Sequence, residues 1–349
     1  MIQAYGQHEL PDMVARLNAM PEDTAKVIQY GLISSEYRYK NPDSAFHYAR
    51  AGFDLAVKLK FKDGIGRTLR QIGSLYDMHG DIDSAIKYLQ EALYVFRSIH
   101  NTSGVAQTLN SLGATEGQRG NYDLATRYFL KALTLYKRDK NRKGTIDTYM
   151  KLGLASNLSG NSDRAISYNN QAYAMLGKDT VSSTGMNVLN NMGTLYGKKH
   201  DYKTALGYLE RGVNIGNQLP YSSIQTAMRT NIGNVYSKLG DKERARINYV
   251  QSLKEATQYQ LPVEKTHALV NLASICDSTD YTTALGYLEE ALATVKAIKH
   301  DELLGSVYHS ISQVYAEAGR YKDAYQSVIS YHALIDTQLA VDRSKQIAE

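Results

Sequence analysis

The chain has 349 residues, of which 43% are hydrophobic and 21% are charged, with a formal net charge of +5 at pH 7. This composition is ordinary for a globular protein, and the weak, dispersed positive charge argues against nucleic acid as a partner. The one cysteine, Cys276, excludes an internal disulfide and a multi-cysteine metal site, and no run of about 18 apolar residues predicts a membrane span.

Residues 1–21 form an N-terminal segment in which the sequence predicts one short helix, near residues 10–20. From residue 22 onward the sequence repeats. One alanine recurs at positions 45, 85, 125, 165, 205, 245, 284 and 324, so the period is 40 residues with a single step of 39. A period of this size is typical of solenoids built from one stacked supersecondary unit.

Each landmark of the repeat has a structural reason. A glycine before the central turn predicts a left-handed residue that ends the first helix, and the Asp or Asn after it is a candidate N-cap of the second. Another glycine stands inside each first helix, where it costs about 1 kcal/mol relative to alanine. We therefore expect another backbone to approach there, opposite the recurring alanine. The helix glycines are Gly73, Gly113, Gly153, Gly193 and Gly233.

This order of small residue, aromatic residue, turn, alanine and aromatic residue resembles the tetratricopeptide repeat, and the long unit resembles kinesin light chains and bacterial peptide-pheromone receptors. The sequence predicts an all-α fold, a right-handed superhelical solenoid of about eight antiparallel helix pairs over residues 22–340. The first helices should line a concave groove. The repeats are expected near residues 22–62, 64–100, 102–140, 142–178, 182–219, 221–260, 263–299 and 302–340.

Catalytic chemistry is not indicated. No His-Glu-x-x-His pattern, phosphate-binding loop or nucleophile elbow occurs, so we expect no enzyme activity, no metal and no cofactor. His267 and His309 lie on predicted first helices, where a lone histidine is more often a polar contact than a catalyst.

A row of asparagines is the sharpest sign of a binding site. Asn191, Asn231 and Asn271 recur at the same position of three consecutive first helices. The resemblance to kinesin light chains implies that such residues hydrogen-bond the backbone of an extended peptide or protein segment in the groove. The alternative is a structural ladder in which each side chain bonds the next first helix, and both can hold. Nearby candidates are Asn187, Asn190, Thr194 and Asn234.

Two arginines form a second candidate binding site. Arg67 and Arg70 lie one turn apart on a first helix and could bind a carboxylate. The sequence favours the simpler interpretation, a solvated helix edge.

The last stretch, residues 331–349, loses the repeat and resembles the segment that follows the repeats in Bacteroidetes-like histidine kinases or transcriptional regulators. That resemblance implies the sensory or scaffolding part of a bacterial signal-transduction protein, periplasmic and membrane-anchored as a whole. The alternatives are a free-standing cytoplasmic adaptor or pheromone-type receptor, and an accessory domain of an enzyme. We predict that residues 341–349 begin a connecting helix, which could form a dimer contact. The alternative is that this end of the chain simply frays.

Overall fold

A computed structural model describes residues 9–38, 40–177, 181–277, 279–298 and 300–333 of the chain. No β-strand occurs among them, so the predicted all-α class is confirmed. The helices are α1 (Glu9–Ala19), α2 (Thr24–Tyr37), α3 (Pro42–Lys58), α4 (Lys62–Met78), α5 (Ile82–Ser98), α6 (Thr102–Gln118), α7 (Tyr122–Arg138), α8 (Arg142–Leu158), α9 (Ser162–Leu176), α10 (Ser183–Lys198), α11 (Tyr202–Gly216), α12 (Ser223–Lys238), α13 (Lys242–Gln258), α14 (Pro262–Ile275), α15 (Tyr281–Ile298), α16 (Asp301–Glu317) and α17 (321–333).

After α1 the helices form eight consecutive pairs, each an even-numbered first helix and an odd-numbered second helix. The contacts divide the chain into two compact units, Met1–Met175 and Leu176–Glu349, with the boundary at the end of α9. Each unit is built from neighbouring pairs of the same kind. The single array without a second domain, expected from the sequence, stays a prediction.

The first helices form the inner layer of each unit. In the first unit α2, α4, α6 and α8 contact one another in succession, and in the second unit α10, α12, α14 and α16 do the same. Among the described helices no second helix makes a comparable contact with another second helix. The first helices are therefore the more closely spaced layer, and a face lined by them is the inner face of its unit.

A 20-residue module underlies the 40-residue repeat. From α3 to α8 every helix has 17 residues and is followed by a three-residue turn. After α4, Gly80 has φ +78° and the N–H of Asp81 donates to the carbonyl of Tyr76 over 3.1 Å, which closes the helix with a left-handed cap. The expected turn glycines all have positive φ, namely Gly80, Gly120, Gly160, Gly240 and Gly319. His200 takes the same conformation at φ +61°.

The first-helix glycines make the close approach that the sequence predicts, but mostly with a different partner. A Cβ built on Gly113 would lie 2.5 Å from a ring carbon of Phe129, and one on Gly233 would lie 2.4 Å from Tyr249. These side chains stand one turn after the recurring alanine. At Gly73 a backbone atom is also close, since the Ala85 carbonyl is 3.1 Å away. The expectation of a backbone contact opposite the alanine is therefore corrected to a side-chain contact.

Two irregular turns of the second unit are well described. The turn between α11 and α12 is extended by Pro220 and Tyr221, and the Tyr221 ring stacks on Tyr259 at 3.6 Å between centroids while its hydroxyl donates to Glu255 over 3.0 Å. The turn after α14 carries the one-residue deletion, and there the Asp280 side chain accepts from the N–H of Thr283 over 3.3 Å. The repeat thus absorbs both changes locally.

The end of the chain is described only as far as residue 333. In α17 the side chains of Tyr321 and Tyr325 are 72% and 68% exposed, while Tyr331 packs against Gly305 of α16. The predicted connecting helix at 341–349 lies outside the described residues. Among the helices that are described, none is long and apolar enough to cross a membrane.

Candidate functional site

The predicted asparagine row lies on the inner layer of the second unit. Asn191, Asn231 and Asn271 stand at the same position of α10, α12 and α14 and are partly buried. Each precedes a buried core residue, which for Asn231 is Ile232. Consecutive residues of a helix are rotated by about 100° around its axis. The asparagines therefore border the inner face, while the residue after each of them fills the core.

Asn231 makes the structural contact considered as the alternative to ligand binding. Its Nδ2 donates to Oδ1 of Asn190 on α10 over 2.8 Å and lies 3.4 Å from Oγ1 of Thr194. The bond runs to the preceding first helix rather than to the next one. Gln71 does the same in the first unit, donating to the carbonyl of Gly31 over 2.8 Å. This row position therefore ties first helices together.

Other predicted asparagines also make hydrogen bonds, but these bonds leave some amide donors and acceptors unused. Asn187 donates to the carbonyl of Ser183 over 3.0 Å on its own helix. Asn234 accepts a 2.7 Å hydrogen bond from the hydroxyl of Tyr249, whose pKa burial raises to about 12, so that tyrosine is a proton donor at neutral pH. The hydrogen bonds described here leave the Asn231 Oδ1 acceptor and the Asn234 Nδ2 donors without a protein partner.

A cleft of about 280 Å³ brings these groups together between α10 and α12. Its wall contains Thr194, Asn231 and Asn234, three of the predicted residues. Asn187, Asn190, Asn191 and Asn271 do not line it. The remaining lining residues are Gly193, Gly197, Lys198, His200, Tyr202, Leu209, Val235 and Lys238.

Gly197 keeps this cleft open, and sequence reasoning missed it. A Cβ built there would meet nothing nearer than a methyl group of Val235 at 3.8 Å, so the space beside it is empty. The equivalent positions of neighbouring first helices carry side chains, for example Asn157 and Ser237. The 40-residue register could have revealed this signal, because glycine occurs at this position only in α6 and α10 among the eight first helices.

The second such glycine, Gly117, opens an equivalent cleft of about 230 Å³ in the first unit. Each residue of its wall is the counterpart, 80 residues earlier in the chain, of a residue in the wall of the other cleft, but several of these residues differ in type. Leu154 and Leu158, which are 56% and 50% exposed, replace Asn234 and Lys238, and Lys151 replaces Asn231. Both clefts have a largely apolar wall, and they differ in the asparagine amides that line the second-unit cleft.

The two predicted arginines do not act as a pair. Arg67 is exposed and forms an ion pair with Asp63 one turn earlier, which agrees with a solvated helix edge. Arg70 is different, because its Nε is buried and has no hydrogen-bond partner. Burial lowers the pKa of the Arg70 guanidinium, and the field of Arg67 lowers it further. Arg70 as a whole is partly exposed, so the solvated-edge interpretation describes Arg67 better than Arg70.

Metal-binding geometry is absent from the part of the chain that the structure describes, since no group of three His, Cys, Asp or Glu side chains converges there. His267 and His309 are exposed on α14 and α16. The Cys276 thiol has its pKa raised by burial and donates to the carbonyl of Leu272 over 3.4 Å, which is the setting of a structural cysteine.

Comparison with known families decides the classification. Models of the tetratricopeptide repeat match residues 104–178, 227–259 and 268–302. The chain contains tetratricopeptide repeats. The matched segments contain α7 to α9, α13 and α15, with parts of α6, α12, α14 and α16, and they reach both units, in agreement with the repeat register. No curated protein sequence matches this tetratricopeptide-repeat chain significantly.

Solved structures of the same architecture cover most of the chain. The apo form of the quorum sensor NprR from B. thuringiensis is 14% identical, with a TM-score of 0.64 over 93% of this chain and 92% of that one. A Rap protein complexed with Competence and Sporulation Factor is 13% identical, with a TM-score of 0.58 over 91% and 99%. The repeat sensor protein PH0952 from Pyrococcus horikoshii is 12% identical, with a TM-score of 0.63 over 98% and 55%. At these identities the likeness shows the helical-repeat fold alone.

Proposed function

We propose that the chain is a non-catalytic binding module whose ligand is a protein or an extended peptide held in the cleft between α10 and α12. The observation that carries this proposal is the pair of amide groups in the cleft wall. Asn231 offers an acceptor oxygen and Asn234 offers donor hydrogens, and a peptide unit carries one donor and one acceptor. An extended backbone can satisfy both amides.

The structural bond of Asn231 supports this role. Because its Nδ2 is held by Asn190, the amide plane is fixed before a ligand arrives. A fixed side chain loses less conformational entropy on binding than a free one, which costs about 0.5–1.5 kcal/mol to immobilise. The structural ladder and the ligand contact are thus compatible uses of one side chain.

The biological setting is a separate part of the proposal. The segment at 331–349 resembles the region that follows the repeats in bacterial sensor proteins, which favours the sensory or scaffolding part of a periplasmic, membrane-anchored signalling protein. The free-standing cytoplasmic receptor is the second candidate. It is supported by the overlap with almost the whole length of NprR and the Rap protein, the latter solved in a complex with Competence and Sporulation Factor.

The test fills the cleft without disturbing the fold. A random peptide display library is selected on the full chain, and the enriched peptides are titrated against the Gly197→Asn variant. Asparagine stands at this register in α8, and a Cβ fits at Gly197 without a clash. We expect affinity to fall at least tenfold, which corresponds to about 1.4 kcal/mol, with an unchanged or higher melting temperature because glycine is a poor helix former.

Gly207→Asn is the matched control, since Gly207 lies on the exposed face of the second helix α11 with open space around it. It changes the same residue type outside the cleft and should leave binding unchanged. Undiminished affinity in Gly197→Asn would place the ligand elsewhere, and failure to enrich any peptide would contradict peptide binding itself. The triple Ala variant of Asn191, Asn231 and Asn271 is expected to lose both affinity and about 1 kcal/mol of stability through the lost Asn231 bond.

A further inference from the structure

The outer face of α13 carries an exposed apolar pair. Ile247 and Val250 lie one turn apart on this second helix and are 58% and 46% exposed. They point away from the buried residues Ala245 and Tyr249, through which α13 packs on its own unit. The residues at the register of Ile247 in the other second helices are all polar or glycine, namely His47, Lys87, Arg127, Ser167, Gly207, Gly286 and Gln326. Packing within the array therefore does not explain an isoleucine here.

The outer face of the neighbouring second helix, α15, is lined by small residues. Both α13 and α15 pack against α14 and are joined to it by short turns, so they lie side by side and run in the same direction. Gly286 stands at the register of Ile247, and the exposed Ala293 and Ala297 follow on the same face. A Cβ built on Gly286 would meet no atom within 4 Å, so no contact within the chain requires glycine there. A poor helix former at an open position favours close approach by another molecule.

Opposite charges accompany the two surfaces. Lys254 is exposed on α13, one turn after Val250, and Glu289 is exposed on the outer face of α15. No ion pair of the described residues involves either of them, whereas the neighbouring Glu290 binds Lys265 over 2.7 Å. The second unit thus presents an apolar surface with a cation beside a small-residue surface with an anion.

We propose that this outer face binds a second copy of the chain in a twofold arrangement. With the twofold axis parallel to the helices and between them, α13 of each copy lies against α15 of the other. The contact of Ile247 with the partner's Gly286 then occurs twice, as an isologous interface requires. Lys254 lies one helical turn from the partner's Glu289, within reach of an ion pair. Complementarity of both shape and charge within one face is the reason that the occupant is a second copy.

Analytical ultracentrifugation of the full chain at a series of concentrations tests the proposal, and we expect a reversible monomer–dimer equilibrium. Gly286→Leu should raise the dimer Kd about tenfold or more, because leucine fills the space that the partner's Ile247 occupies. Its melting temperature at low protein concentration should not fall, since the added side chain meets open space and leucine favours helix. Gly207→Leu is the matched control, because α11 carries Lys203 and Glu210 rather than small residues on its outer face, and it should leave the Kd unchanged.

Charge reversal gives a second readout that a structural role within the monomer would not produce. Lys254→Glu and Glu289→Lys should each raise the dimer Kd about tenfold, because like charges then face each other twice in every dimer. The double variant restores opposite charges at both symmetric contacts. Its Kd should return to within about threefold of the wild-type value, which is the signature of direct coupling between the two residues.

Three results would overturn the proposal. The first is a chain that stays monomeric at every concentration. The second is a dimer whose Kd is the same in Gly286→Leu as in the wild type, or that the double charge variant fails to recover. The third is a dimer that is weakened by Tyr325→Lys but by none of the α13 and α15 variants, because the contact would then lie on the exposed face of α17.

Discussion

Substitution of Gly113 by alanine tests how the repeat packs. Gly113 lies inside α6, where alanine ordinarily stabilises a helix by about 1 kcal/mol. A Cβ there would lie 2.5, 2.7 and 2.9 Å from three ring carbons of Phe129, whose side chain is only 4% exposed. The ring or the helix must therefore move, and because all three approaches are closer than 3.0 Å, we take the overpacking cost as about 2–3 kcal/mol, the upper part of the usual range. We expect a net destabilisation of about 1–2 kcal/mol.

A matched substitution gives the sign of the intrinsic effect. Gly207 also lies inside a helix, α11, but a Cβ there would meet no atom within 4 Å. Gly207→Ala should therefore stabilise its helix by about 1 kcal/mol, so the two glycines should differ by about 2–3 kcal/mol. The difference measures the contact with Phe129 rather than helix propensity.

Native-state hydrogen exchange is the suitable assay, because long repeat arrays depart from two-state unfolding. Amides of α6 and α7 should exchange roughly 5–30-fold faster in Gly113→Ala, since about 1.4 kcal/mol corresponds to a factor of ten. In a Phe129→Ala background the clash is absent, and Gly113→Ala should then slow exchange. Slower exchange in the single variant, or no change of sign in the double variant, would refute the packing argument.

Three further outcomes are expected. Burial raises the pKa of the Asp77 carboxyl, so its contribution to folding is fully present below the unfolded pKa and is lost as pH rises through the folded pKa. The Asp77→Asn substitution should therefore raise the melting temperature at pH 7 but not at pH 3. The control Asp54→Asn, at an exposed position, should change the melting temperature at neither pH. His200→Gly should stabilise the chain by about 1 kcal/mol in chemical denaturation, because a Cβ is strained at positive φ. Limited proteolysis should release no stable half, and two folded fragments meeting near residues 175–182 would contradict a single cooperative array.

The fold could be predicted from the sequence because the register repeats the same physical requirement eight times. Gly80 and its equivalents end helices in the left-handed conformation, and each does so in the structure. The partner of the helix glycines could not be predicted in the same way. A glycine indicates a close approach but not its source, and only the packing shows that the neighbour of Gly113 is the ring of Phe129 one turn beyond Ala125.

The candidate site could be predicted only in part, for a related reason. The spacing of Asn231 with Asn191 and Asn271 identifies a common helix face, but hydrogen bonding depends on neighbouring helices that periodicity does not locate. The bond from Asn231 to Asn190 and the missing partner of Arg70 are properties of three-dimensional packing. Composition likewise gave no reason to distinguish Arg70 from Arg67, although one is paired and the other is not.

The two clefts show how one repeat can provide different recognition chemistry without a change of fold. The core positions are fixed by packing, whereas the residue before the helix end faces the inner layer and is free to vary, so glycine at 117 and 197 opens equivalent spaces. The walls then decide what fits each space. Leu154 and Leu158 offer apolar surface in the first unit, which suits a hydrophobic side chain, while Asn231 and Asn234 offer hydrogen-bonding groups in the second. A ligand held by the asparagine amides of the second-unit cleft need not fit the leucine-lined cleft of the first unit, so peptides selected on the full chain should lose affinity selectively when one glycine is filled at a time.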